Sequence, residues 1–319
     1  MIVYIIILII SLFFLVASSG IFVNSASRIA KQLGVSEVII GLTLVAIGTS
    51  MPELFSAIFA SAYNNSSLIM GNIIGANVAN IALIFGLSLF LVVYLNKNED
   101  IIHELRFLFF IYFLLIIFSI DFKISGLEGI IFVLLFLYYL FDNFKRKKKP
   151  IEYLERHVKV RGIKKGSFFD GIKNYLFFIG SLIVLIFSAK YLVISAGNIA
   201  DYFGTSSKMI GILMAIGTTF PELSVTIQAA RKKYRGILVG DLVGSCIVNV
   251  LMIIGISTII SSIALTKSIF FEILVMAFVA FIMYIFFLRK KRKQKILGYS
   301  LIGIYILFLI LEFIFLKPL

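Results

Sequence analysis

The chain has 319 residues, 61% of them hydrophobic and only 14% charged, with a mean hydropathy of +1.08; that much apolar surface excludes a water-soluble globular protein. The net charge of +14 would suit a nucleic-acid partner, but the basic residues cluster between apolar runs, a placement that orients helices in a lipid bilayer and leaves nucleic acid out. A single cysteine, Cys246, cannot form an intramolecular disulfide, and 2 histidines without an H-E-x-x-H pattern argue against a zinc hydrolase.

Met1 to Phe14 carries no positive leader and no small-residue cleavage pattern before the apolar run continues. It reads as a first membrane span rather than a removable signal peptide. Apolar runs set against polar breaks predict ten transmembrane helices, at approximately 2–27, 36–62, 67–95, 105–120, 125–144, 172–201, 207–230, 236–262, 268–288 and 297–316. With the N-terminus outside, every Lys and Arg except Lys123, Lys190, Lys208, Lys267 and Lys317 falls in a cytoplasmic connection. A multi-pass cell-membrane protein with both termini extracellular is expected. The basic segment 145–170 is the one sizeable break in apolar content, and it reads as a cytoplasmic linker drawn to anionic headgroups. It separates a first half, 1–144, from a second, 171–319.

The halves are related. Ser11 to Gly41 aligns without gaps to Ser181 to Gly211 at an offset of 170 residues. GTSMPE at 48–53 then matches GTTFPE at 217–222, and GNIIGANVAN at 71–80 matches GDLVGSCIVN at 240–249, both at offset 169. Five spans per half is an odd number, so the second copy must enter the membrane from the opposite side. The expected fold is an all-α membrane protein of two inverted five-helix repeats. Such repeats characterise secondary transporters, because alike halves of opposite orientation make inward-open and outward-open states of comparable energy.

Each GTxxPE motif interrupts an apolar helix. Pro52 cannot donate to the carbonyl of Gly48, nor Pro221 to that of Gly217. Carbonyls freed around Ala46 to Thr49 and Ala215 to Thr218 must line a polar cavity or face an ion. Glu53 and Glu222 follow at once, deep in spans where an unpaired carboxylate is costly, with Ser50 and Thr219 one turn before them on the same helical face. Asn80 and Asn249 each stand 27 residues after the matching glutamate, as ligands or as interhelical hydrogen-bond glue. Gly71, Gly75, Gly240 and Gly244 allow close approach or local unwinding beside them, so helices 2, 3, 7 and 8 are expected to be discontinuous. Ala76 and Ser245 lie four residues before the asparagines; only Ser245 adds a hydroxyl, and Ala76 reads as a small packing residue. Asp241, in the place of Asn72, reads as an acid stabilising a helix N-terminus. Asn77 reads equally well either way. Together these are hard oxygen donors suited to Ca²⁺ and Na⁺, without the thiolate or imidazole ligands of zinc or copper.

At these residues the chain resembles the cation/calcium exchanger superfamily, and within it the sodium/calcium exchanger branch, whose paired repeats carry G-T-S-x-P-E and G-N-x-x-G-S-x-x-x-N/D. The resemblance covers nearly the whole chain. It implies ten helices, with the second, third, seventh and eighth enclosing the ions and the first and sixth sliding across them. It also implies Glu53, Asn80, Glu222 and Asn249 as central ligands, with Thr49, Ser50, Thr218, Thr219, Ser245 and the Ala46 and Ala215 carbonyls completing the cation sites. The proline before each glutamate favours sodium over proton coupling. This sequence departs from the pattern at Ala76, where a serine is usual, at Asn249, where many members have aspartate, and by one residue lost before Ala215.

The expected function is antiport of Ca²⁺ against Na⁺ by alternating access, in a chain that is not an enzyme, needs no cofactor, and acts as a monomer with the transported ions and the bilayer as partners. A Ca²⁺/H⁺ exchanger is the alternative, and a cation channel a more distant one.

Overall fold

The computed structural model describes residues 2–33, 37–91, 99–146, 168–202, 217–288 and 294–315. A bilayer offers no water to unpaired backbone groups, so apolar runs of this length close their hydrogen bonds internally as helices. In chain order these are α1 (Ile2–Leu33), α2 (Gly41–Thr49), α3 (Met51–Ala62), α4 (Ser66–Leu91), α5 (Glu99–Phe118), α6 (Gly126–Arg146), α7 (Phe168–Tyr202), α8 (Phe220–Arg231), α9 (Arg235–Ile260), α10 (Lys267–Leu288) and α11 (Gln294–Phe315). Among the described residues seven helices are long and apolar enough to cross a membrane, or eight if the bent pair α2–α3 is one span. In α7 the apolar stretch is shorter, Ile172–Ser188. The start of the seventh expected span, and most of the expected linker, lie outside the described residues.

Helices α4 and α9 occupy the centre. In their most apolar stretches 78% and 94% of residues are buried, against 24% in α1 and 22% in α11. The outer helices instead turn large apolar side chains such as Phe13, Leu176 and Phe278 outward, as a lipid-facing surface requires. Helices α1 and α7 lie against each other, with Phe22 stacked on Phe178 at 4.5 Å. Both reach the break in the second span, because a Cβ on Gly48 would sit 3.1 Å from Leu182 and 3.3 Å from Phe22.

Local conformations recur 169 residues apart. The chain bends by 51° between α2 and α3, at Ser50 with φ −82° and ψ 8°; Thr219, before α8, has φ −87° and ψ 0°. Helices α3 and α8 both end in a left-handed residue, Asn64 at φ 56° and Lys233 at φ 63°. The same pair of closing bonds forms in each: Asn64 N to Ser61 O and Asn65 N to Ala60 O, then Lys233 N to Ala230 O and Tyr234 N to Ala229 O. These are helix ends whose orphan carbonyls are satisfied by the turn that follows.

Glycines bring the helices into backbone contact at matching places. A Cβ on Gly255 of α9 would lie 3.1 Å from the Gly129 carbonyl of α6, and one on Gly298 of α11 would lie 3.0 Å from the Gly86 carbonyl of α4. Between α2 and α9 the fit is also tight, since a Cβ on Gly244 would fall 2.7 Å from Ala46 Cβ and 2.8 Å from Leu42 Cα. A two-residue antiparallel pairing, β1 (Lys123–Ile124) with β2 (Ile263–Ala264), ties the α5–α6 connection to the α9–α10 connection.

One expectation needs correction. The third and eighth helices are not broken: α4 and α9 run continuously through Gly71, Gly75, Gly240 and Gly244. They loosen further on, into π-helical turns over Ala79–Phe85 and Asn249–Ile254. The glycine at 244 serves close approach, while wider turns, which often mark functional positions, begin at Ala79, next to Asn80, and at Asn249.

Candidate cation site

The bend at Ser50 and its counterpart at Thr219 decide where the polar side chains go. Pro52 and Pro221 lack the N–H that would continue the preceding helix, and each restarts a helix whose first turn holds the glutamate. Glu53 and Glu222 are both only 1% exposed. Each lies beside hydroxyls of the other half: Thr218 beside Glu53, and Thr49 and Ser50 beside Glu222. The two glutamates are near enough to act on each other electrostatically.

Hydroxyls of the bends meet the central helices reciprocally. Thr49 Oγ1 donates to Asp241 Oδ1 at 3.1 Å and lies 3.4 Å from Ser245 Oγ on α9. Thr218 Oγ1 donates to Asn72 Oδ1 on α4 at 3.2 Å. On α9, Asn249 Nδ2 donates to Asn77 Oδ1 at 2.8 Å, which turns the Asn249 carbonyl oxygen away from its partner and leaves it open as an acceptor.

Most buried polar atoms in folded proteins have a hydrogen-bond partner. Here both oxygens of Glu53, Ser50 Oγ, both amide atoms of Asn80, Glu222 Oε2, Asp241 Oδ2 and Asn249 Oδ1 have none. Each such group costs about 1–3 kcal/mol if nothing fills the gap. Unpartnered oxygens in this density are of the kind that suits a hard cation. No three His, Cys, Asp or Glu side chains converge on one point among the described residues, so the donor set depends on hydroxyl and amide oxygens as much as on carboxylates.

Of the residues expected at the site, Glu53, Glu222, Thr49, Ser50, Thr218 and Ser245 share this buried cross-half arrangement. Asn80 and Asn249 sit at the openings of the two π segments, and Thr219 is the buried residue that precedes α8. Ala46 differs from expectation: its carbonyl is not freed, because it accepts from Ser50 N at 3.1 Å. The helix stays intact up to Ser50, and only the next turn loses its bond to Pro52. Ala215 lies outside the described residues. Asp241 also departs from its expected role, being fully buried and six residues into α9, beyond the first turn where a helix N-terminus favours an acid.

The sodium/calcium exchanger protein family model matches residues 3–144 and 173–314. The chain belongs to that family. The exchanger is 33% identical over 345 residues to sodium/calcium exchanger MaX1 of Methanosarcina acetivorans, covering 96% of this chain and 97% of that protein. It is 31% identical over 265 residues, 82% of each chain, to the protein named putative antiporter CaxA in Alkalimonas amylolytica. A solved structure of the sodium-calcium exchanger NCX_Mj, soaked with 10 mM Na⁺ and zero Ca²⁺, superposes with a TM-score of 0.85 at 25% identity, covering 97% of this chain and 98% of that one. This is a transmembrane antiporter of a family of cation/Ca²⁺ exchangers, a transporter family rather than an enzyme family.

Two side chains of the exchanger were under-read in the sequence. Asp241, Ser245 and Asn249 are spaced by four, and together they form a polar stripe on one face of α9. Asn77 pairs with an asparagine 172 residues away, a contact that no local spacing announces.

Proposed function

We propose that the exchanger moves Ca²⁺ against Na⁺ by alternating access, as a ten-helix protein of two inverted five-helix repeats, 1–144 and 171–319. The basic segment 145–170 joins them on the cytoplasmic side, with both termini outside and one copy of the chain as the working unit. The observation that carries this reading is the concentration of unpartnered buried oxygens, contributed by both halves, around Glu53 and Glu222.

In this reading Glu53 and Glu222 supply −2 to the site, which one Ca²⁺ or two Na⁺ neutralise. A third Na⁺ leaves +1, so its passage responds to membrane potential. Asn80 and Asn249 lend amide oxygens. Thr49, Ser50, Thr218, Thr219 and Ser245 lend hydroxyls, with the Ala46 and Ala215 backbone alongside. Ala46 O keeps a second lone pair for an ion even with its backbone bond made. Helices α1 and α7, which lie together across the break at Gly48, move as one unit and expose the site to one side at a time. A like pair of halves makes those two exposures similar in energy.

The test is coupled flux. In vesicles of purified chain loaded with Na⁺, external ⁴⁵Ca²⁺ should enter only while the Na⁺ gradient points outward, and dissipating that gradient should stop it. Uptake driven equally well by a proton gradient alone overturns the sodium reading in favour of Ca²⁺/H⁺ exchange. Uncoupled conductance in planar bilayers overturns antiport itself.

A further inference from the structure

Asn72 and Asp241 occupy equivalent positions on α4 and α9, and each accepts a hydrogen bond from the threonine of the opposite bend, at 3.2 Å from Thr218 and 3.1 Å from Thr49. The neutral asparagine therefore meets the structural need as well as the acid does. What Asp241 adds is a carboxyl group able to carry a charge beside a cation, in a side chain that is fully buried, with Oδ2 unpartnered. Among the described residues no Lys, Arg or His pairs with Asp241. A buried carboxylate without a cationic partner is expensive in a membrane protein and marks an ion path.

Its neighbours are suited to a small hard cation. Ser245 follows by one helical turn, and Thr49 Oγ1 lies within reach of both Asp241 and Ser245. The corresponding place on α4 holds Ala76, so the first half has neither the acid nor the hydroxyl. Since no three acidic side chains meet at one point, Asp241 stands beside the glutamate pair rather than in its coordination sphere.

Building on the exchange reading above, we infer that Asp241 is a third charged group of the ion path, forming with Thr49 and Ser245 a flanking subsite for a monovalent cation, and so setting the preference for Na⁺ over Ca²⁺. One carboxylate and two hydroxyls match a singly charged ion, whereas Ca²⁺ needs the larger donor set at the glutamates.

The decisive experiment uses full-length chain in vesicles, with ⁴⁵Ca²⁺ uptake titrated against internal Na⁺ and, separately, against external Ca²⁺. Asp241→Asn should elute as a single species and raise the Na⁺ concentration for half-maximal uptake about tenfold, with a several-fold smaller change in the Ca²⁺ concentration for half-maximal uptake. Asp241→Ser should show the same selective loss, and it decides the matter if the asparagine variant does not fold. Equal weakening toward both ions, or none, in a folded variant overturns the assignment and makes Asp241 structural. Wild-type vesicles without Na⁺-driven Ca²⁺ uptake overturn the exchange reading itself, and that result is obtained before any variant is made.

Discussion

The two central helices have similar backbones and different chemistry. Along α4 the inward polar stripe reads Asn72, Ala76, Asn80; along α9 it reads Asp241, Ser245, Asn249. Both stripes face a threonine from the opposite bend, both end at a π-helical turn that opens with or just before the asparagine, and both lie in the most buried part of the molecule. Duplication has kept the proline, the glutamate and an oxygen that accepts from the threonine of the opposite bend. It has let the cation chemistry diverge, with the acid and the extra hydroxyl both on α9. Shared positions therefore report on the mechanism common to the halves, and divergent positions on what each half does for a particular ion.

Glu53 and Glu222 test the shared part most severely. Each is buried, each faces hydroxyls of the other half, and Glu53 has neither oxygen bonded. Glu53→Gln and Glu222→Gln should each lower Ca²⁺ uptake in vesicles by at least about 100-fold, roughly 2.8 kcal/mol, with detergent elution profiles unchanged. If one substitution is silent while the other abolishes flux, the halves do not contribute equally and the shared-site account fails.

Close contact between the halves is the next most sensitive feature. Gly244→Ala forces a methyl to within 2.7 Å of Ala46 Cβ and 2.8 Å of Leu42 Cα, and overpacking of this kind costs about 1–3 kcal/mol. The unfolding midpoint in detergent should drop accordingly. Gly303→Ala, where an added methyl meets nothing within 4 Å, is the control and should leave the midpoint unchanged or slightly raised.

Much of this was legible in the sequence, because the strongest constraints are local or repeated. Lipid forces apolar runs into helices, and proline breaks them at a calculable place, so the bend at Ser50 followed from Pro52. The paired motifs, set at one offset, marked Glu53 and Glu222 before any coordinates. Features arising between helices were not legible. The Ala46 carbonyl was expected to be free, yet the helix holds together until Ser50. The glycines of α4 and α9 suggested unwinding, yet at Gly244 the absence of a side chain serves contact with α2. Asp241 looked like a helix-end acid even though hydropathy placed the start of α9 within one residue, at 236 against Arg235; its partner is Thr49 of the other half, a contact that no local pattern announces.

Asn77 sharpens the comparison through an unlike pair. Its counterpart 169 residues on is Cys246, so only Asn249, and not Asn80, has an amide neighbour to hold its side chain: Asn77 Oδ1 accepts from Asn249 Nδ2 at 2.8 Å. Asn77→Ala should release Asn249 to rotate, weakening apparent Ca²⁺ affinity about tenfold, or roughly 1.4 kcal/mol, with a smaller effect on the maximal rate. Asn77→Asp retains an acceptor at that place and should recover most of the affinity. An alanine variant with wild-type affinity would mean that Asn249 needs no help to face the ion.

The smallest expected effect comes from making the poorer stripe resemble the richer one. Ala76 is buried at the position equivalent to Ser245, with Asn72 Nδ2 and Asn80 Nδ2 unpartnered one turn to either side. Ala76→Ser adds a single oxygen there and little volume, so the new hydroxyl can accept from either amide or turn toward the ion, and the unfolding midpoint should stay within a few degrees of wild type. Asn72, unlike Asp241, brings no charge, so the added hydroxyl alone should lower the Na⁺ concentration for half-maximal uptake by no more than about threefold, some 0.7 kcal/mol. A tenfold gain would show that the hydroxyl, and not the carboxylate of Asp241, makes α9 the sodium-selective side. No change would leave the acid as the difference that matters between the two halves.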